Sequence, residues 1–208
     1  MELNEVVAGV RLKYATEILG CRAFKAKRLA RQIVEGDSSK KFSLLWSYGV
    51  DLRRASAGNT FKVNIHCRAP GLQPRFKSFY ICFDGTKKAL IKECRPFIGL
   101  DGCHLKHKYG GIFLIDVGSD PNDQYFLIAF EVVENEAKDS WSQFIKLLIE
   151  HIGESKWCFI FYQQKGLVLV FEEEYPGFEH RLCLRHLYAN FKKKFGGGTL
   201  FRDLMLVA

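Results

Sequence analysis

Apolar residues are spaced differently on the two sides of residue 95. On the N-terminal side, Leu12, Ala15, Ile18 and Leu19 form one stripe, and Phe24, Leu29, Ala30 and Ile33 continue it between Lys25, Lys27, Arg28 and Arg31. That three-to-four spacing predicts a helix over 12–35, divided at Gly20. A Gly-Asp-Ser-Ser turn at 36–39 offers Asp37, Ser38 or Ser39 as N-cap for a second helix over 41–55, which Ala57-Gly58-Asn59 closes. Over 60–67, Phe61, Val63 and Ile65 alternate with polar residues, the pattern of a half-buried strand. A loop bearing Pro and Gly follows at 69–74. Residues 75–94, with Phe76, Phe79, Tyr80, Ile81 and Phe83 ahead of a lysine-rich stretch, are predicted to be helical.

Beyond Pro96 the pattern becomes short apolar runs separated by turns: 97–100, 111–118 and 125–133, an amphipathic helix over 140–152, then a run over 157–162. Three strands, a helix and a fourth strand make an α/β order. Asp120-Pro121-Asn122-Asp123 is turn chemistry that joins the second and third runs as a hairpin. A helix over 165–174, a short strand over 180–182 and a helix over 184–194 complete the pattern, before three glycines and an apolar C-terminal stub. The expected organisation is a basic, mainly helical region over 1–95 and an α/β domain over 96–208, a mixed sheet flanked by helices.

Composition changes this picture in three ways. With 48% apolar residues and 18 phenylalanines in 208 residues, the chain is a folding sequence and not a disordered tail. No apolar run approaches the ~20 residues that span a bilayer, and the N-terminal Met-Glu-Leu-Asn-Glu carries no signal-peptide pattern, so an intracellular protein is expected. The seven cysteines are scattered singly without a CxxC pair, which argues for reduced thiols over a disulfide framework.

The net charge of +8 is unevenly divided: residues 1–100 hold 19 Lys and Arg against 8 Asp and Glu, residues 101–208 hold 12 against 15. A basic first half suits a polyanion, since each Lys or Arg that neutralises a phosphate releases a counterion. Lys25, Lys27, Arg28 and Arg31, with Arg53 and Arg54 on the second helix, are the candidate phosphate contacts, against the plainer reading of a solvated helix face.

Asp101 ends the run Phe97-Ile98-Gly99-Leu100-Asp101-Gly102, which puts a carboxylate at the mouth of the sheet, where α/β folds take ligands and metals. Taken alone, Asp-Gly after a strand also reads as a turn. Cys183-Leu184-Arg185-His186 has the spacing of half a zinc site, with a structural hydrogen-bonding role as the alternative.

The whole series of segments says more. Phe97 to Lys106 with Asp101 and His104, Asp120 to Phe126, Val132 to Trp141, Phe159 to Leu167, and His180 to Phe191 resemble, in order and spacing, the catalytic domain of Mutator-like (MULE) transposases. The resemblance implies an RNase H-like fold, DNA as partner, a nuclear location, and Mg²⁺-dependent cutting and joining of strands by two Asp and a Glu. Such carboxylates hold two ions that activate the attacking oxygen and stabilise the leaving one.

By resemblance Asp101 is the first acid and His104 is shared with the family. Tyr162 occupies the position of the second acid, and no third is reached. A phenol with an ordinary pKa near 10 is neutral at pH 7 and does not replace a carboxylate as a Mg²⁺ ligand. The expectation is therefore a truncated, catalytically inactive transposase copy with residual DNA binding. The alternative is a domesticated, transposase-derived DNA-binding regulator. Asp116 and Glu131 fall where strands are expected to be buried, a costly place for charge that reads as drift. Homo-oligomerisation and a Zn²⁺ held partly by Cys183 and His186 remain open. Because the first and fourth strands of the RNase H-like fold are adjacent and parallel, Asp101 and Tyr162 are expected side by side.

Overall fold

The computed structural model describes residues 3–35, 43–67, 69, 75–106, 110–154, 157–196, 199 and 203. The chain divides into two compact units, Met1–Asp51 and Leu52–Ala208. The first contains helices α1 (Leu3–Tyr14) and α2 (Gly20–Glu35). The expected break at Gly20 is the start of α2, and α1 begins well before residue 12. It ends where Ala15 takes a φ of 50°, a left-handed position. Helix α3 spans Leu45–Ala55. The capping residues proposed at 37–39 lie outside the described residues.

The second unit is built on one seven-stranded sheet of order β1-β2-β5-β4-β3-β6-β7. In chain order its elements are β1 (Thr60–His66), β2 (Arg75–Cys82), α4 (Asp84–Glu93), β3 (Phe97–His104), β4 (Ile112–Ser119) and β5 (Tyr125–Val133). Then come α5 (Lys138–Ile152), β6 (Cys158–Phe161), α6 (Lys165–Glu173), β7 (Glu179–Leu182) and α7 (Leu184–Phe195). The first five strands pair antiparallel, while β6 runs parallel to β3 and β7 parallel to β6. The Asp120 turn closes β4 onto β5 as expected: the Asp120 carboxylate accepts the N–H groups of Asn122 and Gln124 at 2.9 and 2.8 Å.

One expected helix is corrected. Residues 75–82 form a strand, and only 84–93 are helical. The run Phe76 to Cys82 places Ser78, Tyr80 and Cys82 on a buried face, the period of two that a strand between β1 and β5 needs. The boundary expected near residue 95 falls inside the second unit. β1 and β2, counted with the helical region on sequence grounds, hydrogen-bond into the same sheet as β3 to β7.

The core lies between one face of this sheet and α4, α5 and α6. Tyr80 packs edge to face on Phe144 of α5 at 6.0 Å, and Phe159 and Phe161 meet Phe171 of α6 at 4.9 Å each. Leu90 of α4 fills the space over Gly118, where a Cβ would come within 2.8 Å of it. Side chains of this kind each contribute roughly 1.5–3 kcal/mol on full burial. No described helix is long and apolar enough to cross a membrane.

Asp116 and Glu131 are both fully buried on this helix-covered face. The ladder shifts register between Asp116 and Val117, and there the Asp116 carboxyl accepts the Ala129 N–H at 2.7 Å. Glu131 Oε1 accepts from Gln143 Nε2. The second oxygen of each has no hydrogen-bond partner among the described residues. Desolvation raises both pKa values, Asp116 well above the carboxylate range.

An acid whose folded pKa is raised keeps its proton at pH values where the unfolded chain has released it. Its stabilisation is complete below the unfolded pKa, near 4, and is lost as pH rises through the folded value. Urea unfolding across pH 5–8 is therefore expected to show a parent protein that loses stability, relative to an Asp116→Asn/Glu131→Gln variant, as pH rises. Burial of His151 lowers its pKa and acts in the opposite sense, but it is common to both proteins and cancels in the difference. Parallel pH profiles would show that the two carboxyls ionise normally.

Candidate functional site

β3 and β6 pair in register from Phe97 with Cys158 to Leu100 with Phe161, so Asp101 and Tyr162 leave the same end of neighbouring parallel strands. The adjacency expected of them is present. Asp101 is half-buried, and its Oδ1 accepts the Gly102 N–H at 2.8 Å. The Tyr162 hydroxyl donates to Glu136 Oε1, and Trp141 Nε1 donates to the same oxygen at 3.2 Å. Burial, the bond to Glu136 and the charge of Asp101, in that order, raise the phenol pKa, so Tyr162 is neutral at pH 7.

Glu136 was not singled out as a site residue from sequence. It precedes α5, and three local features hold its loop at the mouth. Gly102 leaves room for the carboxylate, since a Cβ there would sit 2.8 Å from Glu136 Oε1. Gln164 donates Nε2 to the Glu136 carbonyl at 3.2 Å while its Oε1 caps α6 by accepting the Leu167 N–H at 2.6 Å. Gly166 lets the chain pass, because a Cβ there would lie 2.8 Å from Lys138 N. Its sequence signal is its place in the Val132 to Trp141 segment, and its spacing of five from Trp141 says nothing until the loop is seen to fold back over β3.

Asp116 does not join Asp101. Its cross-strand partner is Leu100, whereas that of Asp101 is Ile115, so the two carboxylates point to opposite faces of the sheet.

Cys183 caps α7, and its N–H donates to Phe161 O at 2.7 Å. His186 lies one turn into that helix, with its ring 5.4 Å from the Tyr162 ring and a buried Nδ1 that has no hydrogen-bond partner among the described residues. Cys103 and His104 are the last, exposed residues of β3. Among the described residues, no group of three or more His, Cys, Asp and Glu is arranged to hold a metal ion. Asp101 with Glu136 does not make the three-carboxylate set that two Mg²⁺ ions need, and Cys183 with His186 is two ligands of four. A cavity of about 660 Å³ beside Pro96, Trp157 and Phe178 lies at the opposite end of β3 and β6, away from these groups.

Residues 97–190 match the family model of the MULE transposase domain. The match supports reading this part of the chain as a MULE transposase fragment. The match begins at the first residue of β3 and takes in Asp101, Glu136, Tyr162, Cys183 and His186. No curated protein matches the chain.

Outside the MULE domain, Lys25 and Arg28 are exposed on α2 and Lys27 is half-buried there, while the Arg31 side chain lies outside the described residues. Arg53 is exposed, and its Nη2 donates to Phe61 O at 2.6 Å, tying the end of α3 to β1. Arg54 is exposed in the last turn of α3.

Proposed function

We propose that the chain is a MULE-type transposase of RNase H-like fold that does not cut DNA and that retains affinity for the DNA backbone in the nucleus. One observation carries the reading. At the strand end beside Asp101, where the family places its second acid, stands a neutral phenol already bound to Glu136. The adjacent, parallel β3 and β6 support the RNase H-like assignment. Mg²⁺, the family's cofactor, would find Asp101 but no complete ligand set.

The seating of Asp116 and Glu131 favours the second reading, a transposase-derived DNA-binding regulator. Each buried acid has a specific donor, Ala129 N–H or Gln143 Nε2, which fits a retained fold better than random decay.

DNA affinity is tested by fluorescence anisotropy on a labelled random-sequence duplex. Binding should weaken steeply with salt, by about 0.9 in log–log slope per phosphate contact. Replacing Lys25, Lys27, Arg28, Arg31 and Arg54 by Ala should lower that slope. Salt-independent binding, or none at low salt, contradicts the reading.

A further inference from the structure

We propose that α7 is a second DNA-contacting surface, which leads the phosphate backbone to the Asp101 end of the sheet. The proposal rests on the transposase reading above and names a surface that charge counting along the chain misses. Residues 101–208 hold more acids than bases, 15 against 12, and look unsuited to DNA. In the fold, however, one helix is set apart by carrying bases and no acid. Asp139, Glu150, Glu172 and Glu173 lie on α5 and α6. The segments that meet at the mouth carry Lys106 just after β3, Lys165 at the start of α6, and Arg185, Lys192, Lys193 and Lys194 on α7.

Helix α7 contains no acid, and its four basic side chains are exposed. None of the four forms an ion pair with an acid among the described residues. Its apolar positions, Leu184, Leu187, Tyr188 and Phe191, are half-buried and recur at helical spacing, so Arg185, Lys192 and Lys193 fall on the remaining surface, while Lys194 borders the apolar side. Arg185 and Lys192, seven residues apart, share a face and lie about 10 Å apart along the axis.

The helix begins beside the site. Its cap, Cys183, is bonded to Phe161, and His186 rests on Tyr162. A polyanion lying along Arg185 and Lys192 therefore passes the mouth where Asp101 and Tyr162 stand. Unpaired, exposed bases next to a transposase site match the charge of a nucleic-acid backbone, to which Arg and Lys contribute position more than sequence.

The test compares salt titrations of duplex binding for the unmodified 208-residue chain, an Arg185→Ala/Lys192→Ala/Lys193→Ala/Lys194→Ala variant, and the N-terminal variant described above. The α7 variant is expected to lose about 3 units of log–log slope and at least about tenfold in affinity near 0.1 M salt. A companion with the three lysines changed to Arg should keep both, which separates charge from helix stability, and circular dichroism should show all the proteins folded. An unchanged slope in the α7 variant, with binding lost in the N-terminal variant, overturns the proposal and leaves the transposase reading standing. So does an α7-dependent slope seen with heparin but not with duplex. No binding by the unmodified chain at low salt overturns both.

Discussion

Replacing Trp141 with alanine is expected to cost about 3–5 kcal/mol, a large share of the roughly 5–15 kcal/mol that holds a domain folded. The indole is fully buried, packs edge to face on Phe144 at 6.0 Å and donates to Glu136 at 3.2 Å. Alanine leaves a cavity under α5 and removes one of the two donors that hold the Glu136 carboxylate. Trp141→Phe keeps most of the volume and loses only the donor, so it should cost less, about 1–3 kcal/mol. Urea unfolding followed by circular dichroism measures both. Equal losses in the two variants would show that the hydrogen bond, and not the packing, dominates. An alanine variant as stable as the parent would contradict the placement of α5 on the sheet.

The link between Trp141 and the site illustrates what the amino-acid pattern reveals and what it hides. Strand and helix order from Phe97 onward is legible because each run has a clear period and each turn its own chemistry, as at Asp120 to Asp123. Residues 75–82 are misread because Phe76, Phe79, Tyr80, Ile81 and Phe83 fit neither period cleanly. Only pairing with both β1 and β5 makes them a strand. Asp116 and Glu131 look like errors in the sequence, since a register shift and a glutamine on another element supply their donors. Asp101 and Tyr162 are legible through their segments' resemblance to a family. Glu136 is not, because its role depends on a loop closing over Gly102. The bases of α7 are hidden in the charge count by the acids of α5 and α6, which share its stretch of sequence.

The central claim is that the strand-end site does not cut DNA. Supercoiled plasmid incubated with the 208-residue chain and Mg²⁺ or Mn²⁺ should remain closed. The Asp101 carboxylate does not hold two divalent ions against their mutual repulsion, and the neighbouring Tyr162 phenol is neutral and bound to Glu136. Tyr162→Asp should not restore cutting. It adds a third carboxylate beside Asp101 and Glu136 but removes one of the two donors that hold Glu136, and the resemblance does not place the family's third acid at Glu136. The plasmid-nicking assay on the unmodified chain, with Asp101→Ala to control for contaminating nuclease, is the direct measurement. The account predicts no metal-dependent nicking by either protein, and nicking by the unmodified chain that disappears in Asp101→Ala would contradict it.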